Sequence, residues 1–185
     1  MESALHMGDC AQASLERPVA PSEILAQLLA RGKFKAQHIR DGKVIGEYDF
    51  PNGIVDVGLN SILGIMFHAD TQITTWYLGL IDNSGFSALA NADTMSSHAG
   101  WNEFTTYSQA NRPTWTPGAA SGRSITNGTT VDFSITGSGT IKGIFVTSNN
   151  TKGGTTGTLW ATAAFSSNVS VVNGDTLKVT YTVSG

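Results

Sequence analysis

The side chains best suited to chemistry in this sequence are two histidines and three carboxylates between residues 68 and 103: His68, Asp70, Asp93, His98 and Glu103. Histidine and carboxylate side chains can transfer protons, and together they can bind a metal ion. Their spacing matches no zinc-binding signature, and the one cysteine of the chain, Cys10, cannot contribute a cysteine pair. The sequence therefore predicts no metal site and no cofactor. We expect Asp93 and His98 instead to form hydrogen bonds that shape an irregular loop.

Motifs for nucleophilic catalysis and phosphate binding are equally weak. Ser97 and His98 are adjacent, whereas a catalytic serine and histidine normally come from different elements that meet in the folded protein. The glycine-rich stretches at residues 137–139 and 153–154 lack the lysine and helix that follow a phosphate-binding loop, so we predict turns there. Residues 114–185 contain only six charged side chains. Because enzymes need titratable groups around a pocket, the sequence favours a structural or binding protein that is not an enzyme.

Three aromatic residues, Trp101, Tyr107 and Trp115, stand out in a long irregular segment at residues 86–122. We favour a small core that holds this loop in one shape. They are also candidate contact residues toward a partner protein or a second subunit, because tryptophan and tyrosine are enriched where interface energy concentrates. A third possibility is a platform on which sugars stack.

The overall charge argues against nucleic acid as a partner, since a net charge of −3 supplies no basic face for phosphates. A single cysteine excludes an intramolecular disulfide, which suits a protein made in a reducing cytoplasm. Residues 1–20 lack the basic and apolar regions of a secretory signal. No apolar run approaches the roughly 18 residues that a membrane span needs. We therefore expect a soluble protein without a membrane partner.

Residues 1–32 are predicted to form a flexible N-terminal arm that carries one short amphipathic helix. Ser22 is suited to cap this helix, and Gly32 is suited to end it. Such a helix must pack against another surface. It either covers an open end of its own sheet or docks on a neighbouring subunit, so its apolar stripe supplies further candidate contact residues: Ile24, Leu25, Leu28 and Leu29.

Residues 33–185 are predicted to form a mainly β domain, an antiparallel β-sandwich of jelly-roll type. Residues 33–40 and 43–50 flank Asp41 and Gly42, a pair typical of a tight hairpin turn. Short strands parted by glycine and asparagine turns continue to the end of the chain. A helix is expected near residues 57–68, because five apolar residues form a stripe that we predict to face the core: Leu59, Ile62, Leu63, Met66 and Phe67.

Several stretches resemble a group of small structural proteins of tailed bacteriophages. They are WYLGLIDNSG at residues 76–85, DTMSSHAGWNEF at residues 93–104, YSQANRPTW at residues 107–115 and GIFVTSNNTKGGTTGTLWATA at residues 143–163. The resemblance covers roughly residues 44–183, and its order of motifs is quite specific. It implies a jelly-roll-like domain that decorates and cements the phage capsid.

The resemblance implies further expectations about partners and location. The partner would be the major capsid protein, and the chain would sit on the capsid surface of the virion after synthesis in the host bacterial cytoplasm. Symmetric shells call for symmetric clamps, so we expect a homo-oligomer, either a dimer or a trimer. Two alternatives remain open: a tail, neck or head-fibre component, and a carbohydrate-binding module that recognises the host surface.

Overall fold

The computed structural model describes residues 30–185, which form ten strands and one helix. The strands are β1 (Arg31–Arg40), β2 (Lys43–Ile54), β3 (Trp76–Asp82), β4 (Asn102–Phe104), β5 (Thr114–Trp115), β6 (Ser124–Thr126), β7 (Val131–Ser134), β8 (Gly139–Thr147), β9 (Leu159–Val171) and β10 (Thr176–Ser184), and the helix is α1 (Asp56–Phe67). The helix predicted in the N-terminal arm, with Ile24, Leu25, Leu28 and Leu29, lies outside the described residues.

The predicted first hairpin is confirmed, because β1 and β2 pair antiparallel on either side of Asp41 and Gly42. Both turn residues have positive φ, 51° and 73°, as a two-residue hairpin turn requires. β1 starts earlier than expected. Gly32 pairs with Val183 of β10 within this strand instead of ending a helix, so the last two residues of the predicted arm, Arg31 and Gly32, belong to the β domain.

The strands form one curled sheet in the order β4-β3-β8-β9-β2-β1-β10-β6, with β5 paired to β3 and β7 to β10. Every pairing among these strands is antiparallel. β2 joins the two halves of the sheet, since most of it pairs with β1 while Gly53 and Ile54 pair with β9. The prediction of a mainly β, antiparallel, sandwich-like fold is therefore confirmed. The finer jelly-roll order stays a prediction.

The main core lies between the two halves of the sheet. Leu177, Val179 and Tyr181 of β10 point inward with a period of two. Phe34 of β1 stacks on Tyr181 with ring centroids 4.3 Å apart. Phe165 of β9 meets this layer from the other half of the sheet.

A second, smaller core lies on the other face of β3 and β8. Ile81 and Phe145 from these strands pack there with Met95 and Trp101 of the long loop. Leu80, the neighbour of Ile81, belongs to the main core. β3 is therefore buried on both faces, as its wholly apolar sequence predicts. This arrangement anchors the irregular segment onto the sheet.

The helix α1 confirms the predicted position but not the predicted orientation. It has Asp56 in its first turn, where a negative charge is favourable, and it ends at Phe67. The expectation that its apolar stripe faces the core is wrong. Ile62, Leu63, Met66 and Phe67 are all exposed, and the one buried residue of the helix is Gly58. Within residues 30–185, no helix combines the length and apolarity that crossing a lipid bilayer requires.

Candidate functional site

The outward orientation of α1 follows from a close approach at Gly58. A Cβ atom at this position would lie 2.5 Å from the backbone oxygen of Trp160, at the start of β9. Only glycine allows the helix to pack this tightly on the strand. The contact turns the opposite side of the helix to solvent, where Leu63, Met66 and Phe67 are 54%, 67% and 82% exposed. We call these three residues the outer face of α1.

Between α1 and the sheet lies a depression of about 260 Å³, which we call the apolar groove. One wall comes from α1 and includes Met66 of its outer face, and the other walls and the floor come from the segment after α1 and from six strands. The lining residues are Ser61, Ile62, Ile65, Met66, Gln72, Ile73, Trp76, Trp115, Ile125, Val146, Trp160, Tyr181 and Val183. Among residues 30–185, no charged side chain lines the groove. It therefore suits apolar side chains better than an ion or a phosphate.

Hydrogen bonds beneath the groove satisfy the polar atoms of its floor. Trp160 Nε1 donates to the Tyr181 hydroxyl at 2.8 Å, and Asn52 Nδ2 donates to the same oxygen at 3.1 Å. Trp115 Nε1 donates to Asn127 Oδ1 at 3.1 Å. Burial raises the pKa of Tyr181, so its hydroxyl stays neutral and remains available for these bonds. The floor consequently presents mainly hydrocarbon and ring edges to a ligand.

The aromatic residues of the loop are buried, in contrast to the outer face of α1. Trp101, Tyr107 and Trp115 are 1%, 3% and 7% exposed. Trp101 Nε1 donates to Asp93 Oδ2 at 3.0 Å, and the His98 ring stacks on the indole with centroids 3.9 Å apart. The three rings do not form one small core of the loop: Trp101 packs in the second core, whereas Tyr107 and Trp115 pack in the main core. The predicted hydrogen bonding of Asp93 and His98 is confirmed, since Asp93 also accepts from the backbone of Ala90 and the His98 ring bonds to the carbonyl oxygen of Trp101.

This burial corrects the expectation that the three rings are contact residues. A partner would have to open the fold to reach Trp101 or Tyr107, whereas Trp115 shows only an edge in the floor of the apolar groove. An exposed, coplanar platform for sugars is not formed by these rings. The physical reason is that the indole nitrogens find acceptors inside the chain, so burial leaves neither of them unpaired.

A buried ion pair between Glu103 and Arg112 was not anticipated. Arg112 is fully buried, and its Nη2 and Nε lie 2.7 Å and 3.0 Å from the two carboxylate oxygens of Glu103. Arg112 also donates to the carbonyl oxygens of Asn149 and Gly154, and Gly153 N donates to Glu103. The pair therefore ties the long loop to the turn between β8 and β9. Residues 83–122 contain only three charged side chains, and that scarcity was the available signal.

A second unanticipated cluster surrounds Asp175, in the turn before β10. His38 Nε2 lies 2.7 Å from Asp175 Oδ2, and Arg40 makes two bonds to the carboxylate, at 2.7 Å and 2.8 Å. The hydrogen bonds from Arg40 hold the pKa of Asp175 well below its ordinary value. The cluster fastens that turn to the end of β1 farthest from Arg31.

The remaining candidates for metal or acid–base chemistry do not assemble into one site. His68 and Asp70 form an exposed pair with 2.9 Å between Nδ1 and Oδ1, just after α1. Asp93 and His98 contact Trp101, and Glu103 is occupied by Arg112. In the part of the chain that the structure describes, no group of three or more histidine, cysteine, aspartate or glutamate residues is placed to hold a metal ion. The outer face of α1 and the apolar groove are thus two apolar surfaces among the described residues that could take part in binding.

Comparison with known proteins adds no relative to these observations: no protein-family model matches the chain, and no curated protein is significantly similar to it.

Proposed function

We propose that this chain is a tailed-phage decoration protein that binds the outside of the capsid through the outer face of α1. The observation that carries the proposal is the exposure of Leu63, Met66 and Phe67 on consecutive turns of one helix. Contiguous exposed apolar surface marks sites of protein association. Covering it releases about 25 cal/mol for each Å² of apolar area removed from water.

The identity of the partner rests on the resemblance of residues 76–115 and 143–163 to structural proteins of tailed phages. A decoration protein needs a rigid domain with a compact contact surface and no chemistry of its own. Each contact can be weak, because the shell repeats the binding site and an oligomer would bind several copies at once. The burial of Trp101, Tyr107 and Trp115 removes the observation that would have favoured binding to host carbohydrate.

Quantitative mass spectrometry of purified virions tests the proposed location on the capsid. We expect a copy number equal to that of the major capsid protein or a simple fraction of it. A few to a few dozen copies per particle would place the chain in the tail, neck or head fibre. Absence from the particle would overturn the structural role altogether.

Capsid binding by surface variants tests the proposed contact. Leu63→Ser combined with Phe67→Ser should reduce occupancy on capsids at least about tenfold, since both residues lose apolar contact area. The matched control is Val44→Ser combined with Ile45→Ser, because these residues are each 51% exposed and lie in β2, away from α1. Equal occupancy for the two double variants would contradict the assignment of the contact to α1.

A further inference from the structure

We propose that residues 22–29 of the same chain dock into the apolar groove and cover it. Their apolar stripe, Ile24, Leu25, Leu28 and Leu29, is a candidate contact surface that the sequence left with two possible partners: its own sheet or a neighbouring subunit. The presence of an apolar groove on the chain's own sheet favours that sheet as the partner. This inference goes beyond the proposed function and does not depend on it, because it concerns a contact within one chain.

The position at which the chain enters the sheet supports this occupant. Gly32 of β1 is paired directly with Val183 of β10, and Val183 lines the groove. Directly paired residues face the same side of a sheet. Gly32 therefore faces the same side as Val183, and the start of β1 lies next to the groove. A Cβ atom on Gly32 would lie 2.6 Å from the hydroxyl of Tyr181, a residue of the groove floor. Arg31 therefore enters the sheet beside the groove wall.

The length of the connection fits the same occupant. Leu29 precedes Arg31 by two residues, which span at most about 7 Å when extended. Residues 22–29 would span roughly 12 Å as a helix. The stripe can therefore reach the groove without a long linker, and so short a connection gives the segment a high effective concentration at its own groove.

The chemistry of the two surfaces is complementary. The stripe offers four branched aliphatic side chains, and the groove walls offer Ile62, Ile65, Ile125 and Val183 with no charged lining side chain among the described residues. Leu63 and Phe67 do not line the groove. A segment seated in the groove would therefore leave most of the outer face of α1 open to a second partner.

Cysteine cross-linking in the full chain tests the contact. In a Cys10→Ser background, Leu28→Cys is combined in turn with Ile62→Cys, Ile125→Cys or Val183→Cys. Disulfides require Cα atoms within about 7 Å, so mild oxidation should produce an intrachain bond for at least one groove partner. The control is Leu28→Cys with Val44→Cys, because Val44 pairs with Ile39, roughly 26 Å along β1 from Arg31.

Three outcomes are informative. An intrachain bond above the control level supports docking of the chain's own segment. Covalent dimers formed in place of intrachain bonds show that a second copy supplies the segment, which overturns the proposal as stated. No bond with any groove partner above the control also overturns it.

Hydrogen exchange on the full-length chain provides a second readout that needs no oxidation. Leu25→Asp combined with Leu28→Asp should accelerate amide exchange in α1 at least about tenfold, because the charged stripe cannot stay in an uncharged groove. Gln27→Asp is the matched control, since residue 27 lies off the stripe on a helical projection. Identical exchange in α1 for all three proteins would contradict docking.

Discussion

The helix α1 and the loop at residues 86–122 carry comparable apolar side chains and use them in opposite ways. Met66 and Phe67 of the helix are exposed, whereas Trp101 and Tyr107 of the loop are buried. The regular element thus leaves apolar side chains exposed to solvent, whereas the irregular element packs its rings against the strands. Periodicity alone predicted the reverse for the helix, because an apolar stripe usually faces the interior.

The difference comes from what each segment can satisfy locally. In the loop, Trp101 finds a carboxylate acceptor in Asp93, and Glu103 finds Arg112, so burial leaves these polar groups paired. In the helix, the orientation is decided by the tight contact of Gly58 with Trp160. A glycine contact therefore overrides the hydrophobic stripe.

The largest effect is expected for Arg112→Ala, which tests whether the buried ion pair holds the loop and should destabilise the whole domain. The substitution leaves Glu103 buried without its cation, and it removes donors from the carbonyl oxygens of Asn149 and Gly154. We expect the free energy of unfolding to fall by about 3–5 kcal/mol, measured by urea denaturation. Lys43→Ala, an exposed residue of β2, serves as the control, and an equal, small change in both would show that the ion pair does not hold the loop.

A milder test of the loop is Trp101→Phe, which keeps an aromatic ring but removes the indole donor to Asp93. Asp93 then keeps its hydrogen bond from the backbone of Ala90 while losing its side-chain partner. We expect the free energy of unfolding to fall by about 1–3 kcal/mol. Thermal denaturation monitored by circular dichroism checks this, and an unchanged melting temperature would mean that the bond adds nothing to the loop core.

The orientation of α1 is tested by Gly58→Ala. The added methyl group would meet the backbone oxygen of Trp160, so the helix must shift outward even though alanine is the better helix former. We expect a net loss of about 1–2 kcal/mol in the free energy of unfolding. Gly64→Ala is the internal comparison, because its added methyl group would meet only the side chain of Asp70, which can move aside. A stabilised Gly58→Ala variant would show that the close contact does not set the orientation.

The sequence predicted the elements of this fold far better than their relative placement. The hairpin at Asp41 and Gly42, the buried strand β3 and the position of α1 all follow from local patterns of turn residues and apolar spacing. The side of α1 that faces the sheet depends on Trp160, which is about a hundred residues later in the chain. The Glu103–Arg112 pair likewise depends on the turn after β8. Local patterns of turn residues and apolar spacing do not reveal such contacts, although the scarcity of charge in residues 83–122 hints at the ion pair.

The smallest stability effect, and the sharpest contrast with Arg112, is expected for Phe67→Ser. Phe67 is 82% exposed at the end of α1, so its replacement removes little buried area from the folded chain. We expect the free energy of unfolding to change by less than about 0.5 kcal/mol, measured by urea denaturation beside the unmodified chain. The same variant should bind capsids more weakly, because the ring would be buried only in that complex. Weaker capsid binding with unchanged stability is the result expected of a contact surface. A loss of several kcal/mol in the free energy of unfolding would mean instead that Phe67 packs within its own chain, as Trp101 and Tyr107 of the loop do.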